Sequence, residues 1–180
     1  MNVTSAALPD IKIIEPRVFR DDRGFFFESY HQERFKQSGI DCDFVQDNHA
    51  RSVRNTLRGL HYQRKPGQAK LVRATCGAIW DVAVDIRPES PTFGQWVAEE
   101  LSADNQRMLF VPVGFAHGYA VLSDVAEVQY KCSWFYLPDE EAGISWDDAD
   151  IGVPWPIGDP ILSQRDLSNP RLRDVFPDKF

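Results

Sequence analysis

In the stretch AIWDVAVDI, residues 78–86, Trp80, Val82, Val84 and Ile86 take every second position and Asp81 and Asp85 fall between them. A period of two is the mark of a β-strand, whose side chains point alternately to opposite faces. It predicts a strand with one apolar face against a core and both aspartates on the other, polar side. Working outward, short runs rich in Val, Ile, Phe, Trp and Tyr recur with turn chemistry between them: PRVFR then DDRG, AKLVRAT then CG, WVAEEL then SADN. Such spacing predicts an all-β chain, built as a jelly-roll β-sandwich or barrel. Helical periodicity is confined to HQERFKQSG (31–39) and SQRDLSNPRLRDVF (163–176), the second interrupted by Pro170. Residues 137–162 hold four prolines and an acidic bias, so they are expected to cross the surface as loop.

With 180 residues the chain is expected to fold as one domain, 1–180, around a substantial core. Hydrophobic residues make up 43% and charged residues 26%, the composition of an ordinary globular protein. No apolar run approaches the roughly 20 residues that span a bilayer, so no membrane association is expected. The stretch MNVTSAALPDIKIIEP has no basic segment followed by an apolar core and a cleavage site, which sets the expectation of a cytoplasmic protein. Cys42, Cys76 and Cys132 form no CxxC pair and are odd in number, so neither a zinc site nor a disulfide framework is expected. A net charge of −7 argues against a general binder of nucleic acid; an anionic ligand would need a local basic cluster.

Several polar residues stand on apolar faces. Tyr130 shares a face with Val128, Cys132 and Trp134, and Lys70 shares one with Val72 and Ala74. Taken alone, Tyr130 reads as a core tyrosine whose hydroxyl reaches a neighbour, and Lys70 as a stem whose amine reaches water. LRGLHYQ (57–63) carries Arg58 and His61, which strict alternation places on opposite faces. If both serve one site, the strand must bulge near Gly59, where glycine permits the backbone angle. His117 follows a Pro-x-Gly turn, and Asp166 stands beside Arg165. A carboxylate bonded to an imidazole fixes its tautomer and raises its basicity, and Asp166 could do this for His61 or for His117.

EPRVFRDDRGFFFESY, FVQDNHARS, LRGLHYQ, QAKLVRA, WDVAVDIRPESPTFGQW, PVGFAHGYAVLS, YKCSWFYLPDEEAGISWDD and LSQRD occur in this order over nearly the whole length. Together they resemble the dTDP-4-dehydrorhamnose 3,5-epimerases, metal-free members of the cupin jelly-roll group. By that resemblance His61 is the catalytic base, Asp166 its partner, Tyr130 the acid on the opposite side of the sugar, and Lys70 the group beside the C4 carbonyl. It also implies ligand contacts from Arg23, Glu28, Gln46, Asp47, Asn48, Arg58, His117, Glu141 and Arg165, with Tyr136 stacking on thymine. The implied substrate is a dTDP-linked 4-keto-6-deoxyhexose, the implied assembly a homodimer, and no cofactor or metal is called for. In such a sugar, C3 and C5 are both α to the ketone, so one carbonyl activates two stereocentres. FFFESY, with aromatic bulk on both strand faces, fits a core on one side and a partner subunit on the other.

Two departures stand out. SQRD replaces the SEKD of many relatives, so Arg165 keeps a positive charge with a different reach. Arg54 and Asn55 stand where relatives more often have a small or apolar pair. Three other functions are considered. A metal-dependent cupin such as a dioxygenase needs His-x-His and a nearby Glu, whereas His61 is followed by Tyr62 and Gln63. An epimerase acting at C3 only, or on another nucleotide-linked 4-keto-6-deoxysugar, would carry the same base and acid. A binding protein without turnover would not need them on opposite sides.

Overall fold

A computed structural model describes residues 1–180. In chain order the elements are β1 (Asn2–Ser5), β2 (Lys12–Glu15), β3 (Phe19–Asp21), β4 (Gly24–Phe26), α1 (Gln32–Gln37), β5 (Gln46–Val53), β6 (Leu57–Gln63), β7 (Lys70–Cys76), β8 (Ala78–Asp85), β9 (Trp96–Ser102), β10 (Met108–Val111), β11 (Phe115–Val121), β12 (Val125–Cys132), β13 (Glu141–Gly143), α2 (Gln164–Ser168) and α3 (Leu172–Val175). One sheet runs β1-β2-β10-β7-β12-β5 and a second β13-β6-β11-β8-β9, and β3 and β4 form a separate hairpin. The all-β class expected from the alternation is therefore observed, with the two sheets face to face. No helix is long and apolar enough to cross a membrane, and all three cysteines are free thiols.

Between the sheets lies a core of Val72 and Ala74 from β7, Val128 from β12, Ile79 and Ala83 from β8, and Tyr119 and Val121 from β11. Each sheet is also covered outside. Leu60, Val82, Val84 and Ile86 pack under Ile144, Ile151 and Leu172 of the C-terminal segment. Leu71, Met108 and Phe110 pack under Phe35 and Ile40, from α1 and the chain after it. Because β8 is covered on both faces, the expectation that Asp81 and Asp85 point to a polar side is wrong: both are 0% exposed. Alternation reports the polarity of a face, not what ends up against it. Buried carboxylates need partners. Asp85 accepts bonds from Arg87, Ser90 and Thr92, and although burial works to raise its pKa, those bonds hold it down at about 2. Asp81 pairs with His117.

Both expected helical stretches are helical in part, and Pro170 falls between α2 and α3. Residues 137–162 are mostly loop, but Glu141–Gly143 adds a strand, β13, along β6 with Gly143 opposite His61. Arg54 and Asn55 serve a turn. Arg54 forks onto Asp124 and the carbonyl of Leu122, while Asn55 takes a left-handed φ of 64°.

The bulge required in β6 is present. Against β11, His61 pairs with His117 and Arg58 pairs with Tyr119, so three residues of β6 span two of β11. Since His117 and Tyr119 share a face, so do Arg58 and His61. Gly59 sits in the bulge at φ +137°, and a Cβ there would lie 2.5 Å from the Cα of Gly118. Only glycine meets both conditions without strain.

Candidate active site

Residues of both sheets line a cleft of about 770 Å³. β6 gives it Arg58 and His61, β7 Lys70, β11 His117 and Tyr119, β12 Tyr130, β13 Glu141, and the segment into α2 Ser163, Arg165 and Asp166. A second hollow of about 220 Å³ shares His61, Lys70, Tyr130 and Glu141 with the first and adds Gln46, Asn48, Gln63 and Tyr136.

His61 Nε2 lies 2.5 Å from Asp166 Oδ1. The other carboxylate oxygen accepts a bond from Ser163 Oγ at 2.8 Å, and Ser163 Oγ in turn accepts from the Asp166 backbone N–H, capping α2. Burial works to raise the Asp166 pKa, but the bond and charge of His61 outweigh it and leave it below the usual carboxylate value. Asp166 thus enters the cleft as an anion holding an imidazole. His117 Nε2 meets both oxygens of Asp81, at 3.0 and 2.9 Å, so the choice open in the sequence is settled: Asp166 serves His61 and Asp81 serves His117.

Burial pushes the Tyr130 phenol up to about 12, helped by Cys132 and Tyr119. A phenol so placed keeps its proton at neutral pH and can give it. Burial pulls the Lys70 amine below the ordinary lysine value, partly offset by Cys132, Asp81 and Glu141. Arg58 Nε donates to Ser52 Oγ at 3.1 Å, and its guanidinium lines the cleft. Arg165 pairs with Glu141 at 2.6 Å, and the hydroxyl of Tyr136 donates to the same carboxylate at 2.6 Å. The Glu141 pKa falls even though burial opposes it, because Arg165 and Tyr136 both bond to it. Gln46 accepts from the Tyr136 backbone N–H and donates to Asn48, holding the exposed ring at the mouth of the second hollow.

Three expected ligand residues are elsewhere in the single chain. Arg23, in the β3–β4 turn, has a side chain 90% exposed and paired with Asp21. Glu28 pairs with Arg34, and Asp47 pairs with Lys131 on the sheet face opposite Gln46 and Asn48. Sequence reasoning missed Ser163, Gln63 and Tyr119. Ser163, three residues before Asp166, carries the local pattern of a helix cap and was open to reading. Gln63 anchors the Tyr136 loop through Phe135 O and Leu137 N. Tyr119 has a buried hydroxyl without a partner. Nowhere do three or more His, Cys, Asp or Glu side chains gather in a way that could hold a metal ion.

A histidine–aspartate pair, a protonated phenol and a buried amine around one cleft in a two-sheet sandwich define a cupin-type isomerase working by proton transfer. The family model for dTDP-4-dehydrorhamnose 3,5-epimerase matches residues 5–174, and the chain belongs to that family. It is 53% identical over 181 residues to the dTDP-4-dehydrorhamnose 3,5-epimerase of Pseudomonas aeruginosa, covering 98% of this chain and 100% of that one. Its fold matches the dTDP-6-deoxy-D-glucose-3,5-epimerase of Legionella pneumophila, solved in complex with dTDP-4-keto-L-rhamnose, at a TM-score of 0.95 with 44% identity, covering 99% and 96% of the two chains. A 3′-monoepimerase from Streptomyces bikiniensis, solved with dTDP-quinovose, matches at a TM-score of 0.90 with 34% identity over 97% and 90%.

Proposed function

We propose that this chain, as one domain of residues 1–180, epimerises C3 and C5 of dTDP-4-dehydro-6-deoxy-D-glucose to give dTDP-4-dehydro-L-rhamnose, a step toward dTDP-L-rhamnose. The observation that carries the proposal is the 2.5 Å His61–Asp166 pair in the same cleft as Tyr130 and Lys70. With Nε2 held by Asp166, His61 offers Nδ1 to a C–H bond α to the ketone. Each deprotonation leaves an enolate whose charge falls on the C4 oxygen, and the Lys70 amine, in a poorly hydrated pocket, stabilises that oxygen by hydrogen bonding. Tyr130 returns a proton from the opposite side. The carbon is thereby inverted without any change in oxidation level, so the step needs no cofactor.

Arg58 suits the diphosphate, being a guanidinium fork in a protein of net negative charge. Tyr136, Gln46, Asn48 and Glu141 suit the base and ribose at the cleft mouth, and Arg165, tethered to Glu141, supplies further positive charge there. Arg23, Glu28 and Asp47 fit as contacts that reach a ligand across a homodimer. The reading includes a cytoplasmic setting, where a nucleotide sugar is made and used.

The alternative, epimerisation at C3 alone, is favoured by one observation: a monoepimerase shares the fold. Proton NMR with dTDP-4-keto-6-deoxyglucose in deuterated water separates the two. Deuterium at both C3 and C5 is expected. Deuterium at C3 alone would support the alternative, and exchange at neither carbon would sink both.

A further inference from the structure

Between β12 and β13 the chain presents three aromatic residues in a row, Trp134, Phe135 and Tyr136, all exposed. No backbone–backbone hydrogen bond holds any of the three. Side-chain amides hold them instead. Gln68 Nε2 donates to the Trp134 carbonyl at 2.8 Å, and Gln63 Nε2 donates to the Phe135 carbonyl at 3.3 Å. Gln46 Oε1 accepts from the Tyr136 N–H at 2.8 Å, and Gln63 Oε1 accepts from the Leu137 N–H at 2.7 Å. The amides come from both sheets, Gln46 from β5 and Gln63 from β6, with Gln68 in the connection from β6 to β7. Gln63 is buried and bonds to the residues on either side of Tyr136. It is also paired in register with Glu141 of β13, whose carboxylate accepts from the Tyr136 hydroxyl. Backbone in so exposed a stretch can be satisfied by water and left mobile. Three amides are more than the fold needs there, since each ordered glutamine gives up rotamer freedom.

We infer that Gln63 is a positioning residue for nucleotide binding: with Gln68 and Gln46 it fixes the backbone on both sides of Tyr136, so that the ring stands ready at the cleft mouth before the ligand arrives. The inference rests on the epimerase reading, in which Tyr136 stacks on the thymine, and deepens it. A ring on a loose loop has to be ordered when the base binds, and that ordering weakens affinity; a loop already held avoids the loss. Both bonds of Gln63 go to the loop, so its effect belongs to nucleotide affinity and not to proton transfer. It nonetheless stands two residues beyond His61 on β6, and kcat tells the two routes apart.

Gln63→Met keeps the length of the side chain and removes both bonds. Calorimetry with dTDP should show affinity about 3- to 10-fold weaker, the range for one side chain left to be ordered on binding. KM for the nucleotide sugar should rise to match, with kcat within about twofold of wild type. In a Tyr136→Ala background the same substitution should cost no more than about twofold in dTDP affinity, within the scatter of independent sites. Unchanged affinity in Gln63→Met overturns the inference. So does a full-sized loss in the Tyr136→Ala background, which would mean that Gln63 acts through packing, or a fall in kcat as large as the loss of affinity, which would mean that it acts through His61. Should Gln63→Met fail to fold, Gln68→Met decides, at a part-exposed position: dTDP binding should weaken at least about threefold with kcat kept, and normal affinity overturns the inference. Tyr136→Ala by itself tests the base contact beneath it; a variant that binds dTDP as the wild type does would remove that contact and the inference with it. Wild-type turnover, measured alongside, tests the epimerase reading separately.

Discussion

At the scale of single residues, the site depends on which groups hold protons. His61→Asn removes the base and leaves the shape of the cleft, so deuterium exchange at both carbons should fall by about 10²- to 10⁴-fold while dTDP still binds; exchange near the wild-type rate would show that another group is the base. Tyr130 makes a different prediction. Its folded pKa of about 12 stands above the ordinary 10.0, so between those values the folded chain holds a proton that the unfolded chain has released. Its contribution to stability is therefore complete below pH 10 and is lost as pH rises through 12. Tyr130→Phe has no phenol to ionise. Between pH 9 and a pH near 11.5, the Tm of the wild type should fall more than that of Tyr130→Phe, although both retain Tyr30, Tyr62 and Tyr119. Parallel curves would mean that the phenol is not held neutral by its surroundings.

At the scale of elements, the bulge in β6 brings the guanidinium and the imidazole to one side, and it depends on glycine. Gly59 and Gly24 have similar backbone angles, φ +137° and +127°, but a Cβ at Gly24 meets nothing within 4 Å whereas one at Gly59 meets the backbone of β11. Gly24→Ala should thus cost only the conformational strain, about 1–3 kcal/mol. Gly59→Ala should cost clearly more by denaturant unfolding, and any folded fraction should lose activity as Arg58 and His61 are displaced. Equal costs would show that β6 can yield. This bulge was legible in the sequence because two residues needed on one face stood three apart with a glycine between them. The strand 78–86 was legible too, but its faces were not, since the segments that cover Val82 and Val84 lie at Ile144–Leu172, far along the chain. Similarly, His61–Asp166 and His117–Asp81 could not be told apart because their members are 105 and 36 residues apart, and only the packing of α2 on β6 and the pairing of β8 with β11 bring each pair together. What local chemistry fixes was readable; what tertiary covering fixes was not.

At the scale of the whole molecule, the single chain leaves its site short of groups and its surface long on aromatics. Arg23 sits at the tip of the β3–β4 hairpin, away from the cleft, and Phe19, Phe25 and Phe26 on that hairpin are 51%, 55% and 72% exposed. Exposed phenylalanines grouped on a projecting hairpin are the anchors that interfaces concentrate. A second copy that covers them and takes the Arg23 turn into its own cleft would account for both features by one contact. The chain should accordingly sediment as a dimer at micromolar concentration, and Phe25→Asp with Phe26→Asp should shift it to monomer with loss of turnover. If Arg23 acts across the two-fold axis, mixing inactive Arg23→Ala and His61→Asn chains, then allowing subunits to exchange, restores activity. Half the dimers then carry both variants, and one of their two sites has an intact His61 together with an intact Arg23, so about a quarter of wild-type activity returns. No recovery from verified mixed dimers would place Arg23 in its own chain's site or outside it altogether, and a wild-type chain that stays monomeric would remove the need for a shared site.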